Sequence, residues 1–370
     1  MAAYTTIDDP SAYHQVDLYT GNGSADHAQT FDGNSNLLPG LLFMSKRAGG
    51  GNYGSFMVTS HPDATVTKCW ERGSGQMQAT QRIASFNSDG YTPNGTSYYQ
   101  NEDGSTYVTH AFASGGTSAS DNTDGDITSS VVVNTTMGLS LVTWTGNDTD
   151  AQTIGHGLGA RPNAIWVYPI APGGDGNTQR IWWWEANTDG YAISNGLNDS
   201  QNTEENDLNG TVSGDASGEG TTSVFTVSDQ NSADINTNNG SGTYLACVWT
   251  NIQGFSKHGQ YVGNGDADGA FVYCGFRPAT VIIRNMDRAA QVNSYDTARG
   301  PSNPVNESLN WVDHSGAELS DGNTIVDILS NGFKIRTTGV SINETGETIG
   351  FSAWAEQPFV TSTGIPATAR

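Results

Sequence analysis

The chain has 370 residues, 38 Asp plus Glu against 15 Lys plus Arg, a formal net charge of −23 at pH 7, and 35% hydrophobic residues beside 46 glycines. That balance excludes a direct grip on a nucleic-acid backbone, which needs clustered cations, and disfavours an anionic membrane surface. Three widely spaced cysteines in a chain this long exclude a disulfide scaffold, and no CxxC pair points to zinc.

The length suits two or three domains. Apolar residues fall in short runs bounded by turn residues, such as Ala164-Ile165-Trp166-Val167-Tyr168 and Val281-Ile282-Ile283, with no heptads and no long helical period. Such runs are short strands between tight loops. The acidic excess reads either as plain solubility or as a surface adapted to salty water, where counter-ions screen the repulsion. The opening Met1 to Pro10 has no basic region and no apolar core, so no secretory signal is expected. No run approaches the length of a membrane span.

In chain order, one phrase comes three times: Tyr19-Thr20-Gly21-Asn22-Gly23, Trp144-Thr145-Gly146-Asn147 and Tyr261-Val262-Gly263-Asn264-Gly265. After each comes a proline (Pro39, Pro162, Pro278) and an apolar run. Proline cannot donate to a ladder, so it belongs at a strand's start. A weaker third match includes Asp89-Gly90-Tyr91 and Asn331-Gly332-Phe333, a tight-hairpin signal, and Val224-Phe225-Thr226-Val227 in the middle copy. Each copy closes on Asn, a glycine turn, Thr and an alternating strand, starting at Asn101, Asn239 and Asn343. Five positions after Tyr107, Tyr244 and Ile349 stands an aromatic, Phe112, Trp249 and Trp354. Four signatures in fixed order, three times over, mark a repeat. The expected fold is all-β: three tandem β-sandwich modules, jelly-roll or Greek-key-like, at 1–136, 137–256 and 257–370. The Gly/Ser/Thr/Asp-rich stretch 115–130 reads as a linker or long loop.

Candidate chemistry is sparse. Asp121, Asp124 and Asp126 crowd oxygens around Gly125 as a calcium loop does, but the twelfth position, where a bidentate acid is expected, is Val132. A solvated linker is the better reading, with calcium the one cofactor left open. Gly155-His156-Gly157-Leu158-Gly159 looks like an anion loop, yet lacks the Lys-Ser/Thr of a P-loop and any following helix, so a turn is expected. Trp182-Trp183-Trp184 must point at least one ring away from a core, because neighbours on a strand face opposite ways. It reads either as a strand buried between modules or as an aromatic platform for a sugar or a partner protein. Cys247 and Cys274 sit in apolar runs and read as small buried hydrophobes. Neither an HExxH nor a GxSxG motif is present.

Together these signatures resemble a family of structural proteins of tailed phages, mainly marine ones. Its members carry a phrase like Tyr261 to Gly265, a turn like Gly155 to Gly159 with Pro162, and a strand like Ile165 to Tyr168. They also carry stretches like Gly254-Phe255-Ser256-Lys257-His258-Gly259 and Tyr295-Asp296-Thr297-Ala298-Arg299 followed by Pro304, and an opening like Met1 to Pro10. The resemblance implies a virion component, and it brings no catalytic residues. The expected protein is therefore a non-enzymatic part of the particle exterior, a tail fibre or tail-tip adhesin in host attachment, released by lysis. The alternatives are a head decoration or cement protein and a tailspike glycan depolymerase. Expected partners are other virion proteins, further copies of the chain (such as a trimer) and a host surface glycan or protein, with no nucleic acid and no membrane insertion.

Overall fold

A computed structural model describes residues 4–49, 54–71, 76–116, 118–171, 180–184, 193–195, 201–202, 220–227, 237–288, 292–310, 318–320 and 325–367, of which 180–184, 193–195, 201–202 and 310 are described in backbone only. The fold is all-β. Among the described residues, helix is confined to the short turns Pro10–Ala12, Pro62–Ala64 and Val340–Asn343.

Each copy builds the same four-stranded antiparallel core. The opening strands are His14–Thr20, Leu139–Thr145 and Ser256–Val262; the closing strands are Thr106–Ala113, Thr243–Trp249 and Thr348–Pro358. Second strands run Pro39–Ala48, Ala164–Ala171 and Phe276–Asn285, and third strands Ser55–Thr59, Arg180–Trp184 and Asn293–Asp296. The order is opening–closing–second–third in all three. The register also repeats. Tyr19 pairs with Tyr107, Trp144 with Tyr244, and Tyr261 with Ile349. The first phrase and the last signature of a copy, far apart in the chain, are thus neighbours in its sheet.

A buried asparagine explains both motifs. Asn101, Asn238 and Asn343 are fully buried. Each side-chain oxygen accepts from the backbone of the phrase's Asn: Asn22 at 3.0 Å, Asn147 at 3.3 Å, Asn264 at 3.1 Å. Each side-chain amide donates two residues further on, to the carbonyls of Ser24, Thr149 and Asp266. In the second copy the clamp is Asn238, one residue before the Asn239 expected. The phrase's glycine is needed for close approach: a Cβ on Gly21, Gly146 or Gly263 would lie 2.1–2.2 Å from a carbonyl oxygen of the closing turn. The next turn position is left-handed in every copy, at Gly23, Asp148 and Gly265. Asp tolerates that conformation better than most residues, and Asp148 accepts a hydrogen bond from the Gly240 amide there.

Proline stands where a ladder donor is not needed. Pro39 starts its strand, Pro162 precedes one, and Pro278 sits at a bulge in Phe276–Asn285. Behind each principal sheet lies a small one: the hairpin Ile83–Asn87 with Gly90–Pro93, the pair Gln152–Gly155 with Val224–Val227, and the three strands Phe271–Tyr273, Gly332–Ile335 and Val326–Leu329. The hairpin signals hold with a shift: Ser88-Asp89 and Ser330-Asn331 form the loops, and Gly90 and Gly332 begin the next strands.

The expected linker is corrected. Ser120–Asn122 and Ser129–Asn134 are strands that pair with each other and, through the latter, with the opening strand of copy 2. The second of these strands runs on past the stretch into the β-branched Val131-Val132-Val133, and Ser120–Asn122 forms the edge of the second sheet. That sheet therefore begins within the stretch 1–136 assigned to the first module, and copy 3 opens at Ser256 rather than 257.

The three copies share one centre. Phe112, Trp249 and Trp354, equivalent by register, touch one another: ring centroids lie 5.1 Å apart for Phe112 and Trp249, 4.8 Å for Phe112 and Trp354, and 5.1 Å for Trp249 and Trp354. Three matched residues in a near-equilateral triangle, from three sheets of one topology, define a pseudo-threefold axis. Alternation then assigns the faces. In copy 2, Leu245, Cys247 and Trp249 face the shared core, while Tyr244, Ala246 and Val248 face that copy's small sheet. Each closing strand begins its exit at an equivalent backbone bond: Ala113 to Tyr13, Thr250 to Gly138 and Ala355 to Phe255.

The N-terminal segment closes the ring. The Tyr4 hydroxyl donates to the Gly275 carbonyl at 2.8 Å, Thr5 donates to the Gln253 carbonyl at 2.9 Å, and Asp8 accepts from the Ser362 amide at 2.7 Å.

Candidate functional site

Clefts open where the opening strand of one copy meets its neighbour. Thr143 and Thr145 of copy 2 and Asp63 and Lys68 of copy 1 line a cleft of about 520 Å³. His14 and Val16 of copy 1 and Thr297 of copy 3 line one of about 220 Å³. The opening strand of copy 3, with Asn251 from the end of copy 2, borders one of about 410 Å³. In the first, Thr143 donates to Asp63 at 2.7 Å.

The third differs in chemistry and in position. It is the open mouth of the copy 3 sandwich. Lys257, Gly259 and Tyr261, alternate residues of one strand, face it. Phe351, across the ladder from Gly259, continues its floor. Its far wall is Phe271–Tyr273 of the small sheet. Phe271 is 47% and Tyr273 54% exposed, in a protein whose other aromatic rings are mostly buried. Alternation puts both rings on one side of their strand, and Val272 faces inward. Tyr273 is held by Tyr4, the two hydroxyls 3.3 Å apart. Burial, then the hydrogen bond to Tyr273, keeps the Tyr4 phenol protonated well above its ordinary range.

Lys257 stands out in this acidic chain. Among the described residues it forms neither an ion pair nor a hydrogen bond, whereas cations such as Arg47, Arg82, Arg288, Arg299 and Lys334 are paired with carboxylates. Its charge is felt locally. Burial first, and the Lys257 charge second, push His258 down to about 3. His258 is thus a neutral core residue, its Nδ1 2.9 Å from the Ser352 hydroxyl.

At the seam of copies 1 and 3 lies a buried polar network. His14 Nε2 is 2.9 Å and His110 Nδ1 3.2 Å from the Thr280 hydroxyl. Asp296 is paired with Arg299, which reaches Glu318 at 3.1 Å, and Glu318 accepts from Arg47 of copy 1 at 2.8 Å. Burial, then the Arg299 charge, holds His110 well below its ordinary pKa. Its contact with Asp296, 3.5 Å, is therefore that of a neutral ring, since Arg299 already balances the carboxylate. This network is structural: it fixes how copies 1 and 3 meet.

The residues singled out in the sequence are dispersed. Arg180–Trp184 is the third strand of copy 2, with Trp184, Trp183 and Trp182 opposite Ala164, Ile165 and Trp166; the side chains of Trp182, Trp183 and Trp184 lie outside the described residues. Asp121 lines the cleft of copies 1 and 2, whereas Asp126 accepts from the Thr153 amide at 3.1 Å and hydroxyl at 2.7 Å. Among the described residues no group of three His, Cys, Asp or Glu is placed to hold a metal ion. His156 is fully buried, with Nδ1 accepting from Leu158 at 3.2 Å, so the glycine-rich turn is built around its own histidine. Cys69, Cys247 and Cys274 are buried free thiols. Sequence reading missed Lys257, Gly259, Phe271 and Tyr273 as a site. The first two stand in a stretch already marked as shared, but nothing in their spacing brings them to Phe271 and Tyr273.

A domain of unknown function, DUF7483, matches residues 9–358. The chain belongs to the DUF7483 family. The DUF7483 match runs from just before the opening strand of copy 1 to Pro358, the last residue of the closing strand of copy 3. One DUF7483 domain is therefore the whole ring, not one copy of the repeat. No curated protein and no solved structure matches the chain.

Proposed function

We propose that this DUF7483 protein is a structural component of the exterior of a tailed-phage particle, a tail-fibre or tail-tip adhesin that acts by binding rather than by catalysis. The observation that carries the reading is the triangle of Phe112, Trp249 and Trp354. It ties three sandwiches together around an internal threefold, the symmetry of a fibre end. On this reading, the trimer named among the expected assemblies of the chain has a counterpart within a single chain. Other support is the resemblance to phage structural proteins and the strong acidic excess. The buried histidines of the centre serve packing and hydrogen bonding. The partners are other virion proteins and the host surface.

Head decoration is the second reading, favoured by the same internal threefold, which suits a threefold position of a capsid lattice. Quantitative mass spectrometry and antibody-labelled electron microscopy of purified particles separate the two. A few copies on the tail are expected. Hundreds on the head would replace the adhesin by a decoration protein, and absence from particles would overturn both.

A further inference from the structure

We propose that the mouth of the copy 3 sandwich binds a carboxylated sugar, with its ring against Phe271 and Tyr273 and its carboxylate at Lys257. The inference rests on the adhesin reading only for the biological source of the sugar.

Glycine at 259 is the first argument. It has neither of the usual reasons to be glycine. Its backbone is not left-handed, and a Cβ there would meet only Phe351 ring atoms, at 3.4 and 3.5 Å, an ordinary contact. The repeat supplies the comparison. By register the same position is Val142 in copy 2 and Asp17 in copy 1. Val142 is fully buried in that copy's second core. Asp17 accepts from the Tyr91 hydroxyl at 3.1 Å. Across the ladder stand Thr109 in copy 1, Ala246 in copy 2 and Phe351 in copy 3, so copy 3 exchanges a side chain on the opening strand for an aromatic ring that lies over the glycine and floors the cleft.

The second argument is Lys257. Its equivalents are Gln15 and Ser140. Gln15 is fully used, donating to Ser11 and Ser35 and accepting from Gly33. Ser140 is buried. Only copy 3 places a charge here, and that charge has no partner among the described residues. A part-buried cation with no carboxylate beside it among the described residues offers a local site for an anion, set against the repulsion of the overall charge of −23.

The third argument is the wall. Two exposed rings on one face of an edge strand offer flat apolar surface bordered by polar groups, which suits the C–H face of a pyranose. A cleft of about 410 Å³ is in the range of small-ligand sites, which combine apolar lining with few placed polar groups. Ring surface and a lone cation together select a sugar that carries a carboxylate over a neutral one.

The test is calorimetric titration of the full chain with trigalacturonic acid and sialyllactose, against neutral galactotriose, and with hexaglutamate as competitor. At least one acidic sugar is expected to bind about tenfold or more tighter than the neutral one. Lys257→Gln should erase that preference, Lys257→Arg should keep it, and Phe271→Ala should weaken acidic and neutral sugars alike. Gly259→Val, which installs the copy 2 residue, should abolish binding. Gly259→Ala serves if the valine variant misfolds, as judged by its thermal transition. No binding of either acidic sugar, equal binding of the neutral one, unchanged binding after Lys257→Gln, or full competition by hexaglutamate would each overturn the proposal. All of these readouts use purified protein, so their failure leaves the location of the chain in particles untouched.

Discussion

Trp249 and Trp354 meet edge to face, with ring centroids 5.1 Å apart and planes inclined at 63°. They close equivalent strands of copies 2 and 3, and each also touches Phe112 of copy 1. The modules are therefore not beads on a string. Trp249→Ala removes a fully buried ring from all three at once, at a cost of about 3–5 kcal/mol. Denaturant unfolding of the parent should show one cooperative transition, and the variant one transition at a lower midpoint. Two separated transitions in the parent would show that the copies do not share a core.

The asparagine clamps make a second prediction. Asn238→Ala leaves the Asn147 amide and the Thr149 carbonyl without their side-chain partners. The expected cost is about 1–3 kcal/mol, the desolvation of groups left unpaired. Asn101→Ala and Asn343→Ala should cost similar amounts, because the same bonds recur. Equilibrium denaturation of the three variants checks this; a change within error of zero in any of them would rule out the clamp as a shared stabilising element.

Glu318 accepts from Arg47 of copy 1 and Arg299 of copy 3. Glu318→Ala leaves the wholly buried Arg299 with its bonds to Asp296 and Ser294 but without its second carboxylate, and the Arg47 guanidinium without its carboxylate. Removing one partner of a buried pair costs about 3–5 kcal/mol, less here because the Glu318 side chain keeps 14% of its exposure. Limited proteolysis should then cut first near the contact of copies 1 and 3. Stability equal to that of the parent would mean that the network contributes no net energy.

Acid should weaken the fold between about pH 6.5 and pH 4. Burial pushes His14 down to about 4 and His258 to about 3. The unfolded chain binds protons below the ordinary histidine value, near 6.5, while the folded chain refuses them, so stability falls as pH drops through that window, on the order of 3 kcal/mol for each histidine. Asp17 works in the opposite sense. Burial raises it to about 6, so the folded chain holds a proton there that the unfolded chain has lost, and this penalty fades as pH falls from 6 towards 3.8. Two histidines outweigh one aspartate. Midpoints measured across this range should decline on acidification, and His14→Gln with His258→Gln should flatten the slope. A midpoint that rises on acidification would refute the assignment.

The repeat was legible because its signals are local. Glycine, asparagine and proline carry backbone meaning that survives divergence, and the positions of Phe112, Trp249 and Trp354 could be aligned from their spacing. Their convergence could not, since contact between strands of different copies leaves no period in the chain. The stretch 115–130 misled because serine and aspartate on an exposed edge strand, Ser120–Asn122, and at the start of the strand beside it look like loop. The cleft of copy 3 was hidden for a different reason. Gly259 is informative only beside Val142 and Asp17, and that comparison needs the register of the sheets.

The chain joins copy 1 to copy 2 and copy 2 to copy 3 by peptide bonds, but among the described residues copy 3 meets copy 1 through side chains, the backbone bond from Glu318 to Arg47 and the short N-terminal strap at Tyr4, Thr5 and Asp8. Under mechanical load this seam is the one place where the ring can part without breaking a covalent bond. Its closure also sets Asp8 against Ser362, so joining these two segments and cutting between other copies would give a permuted protein with the same three-sided body.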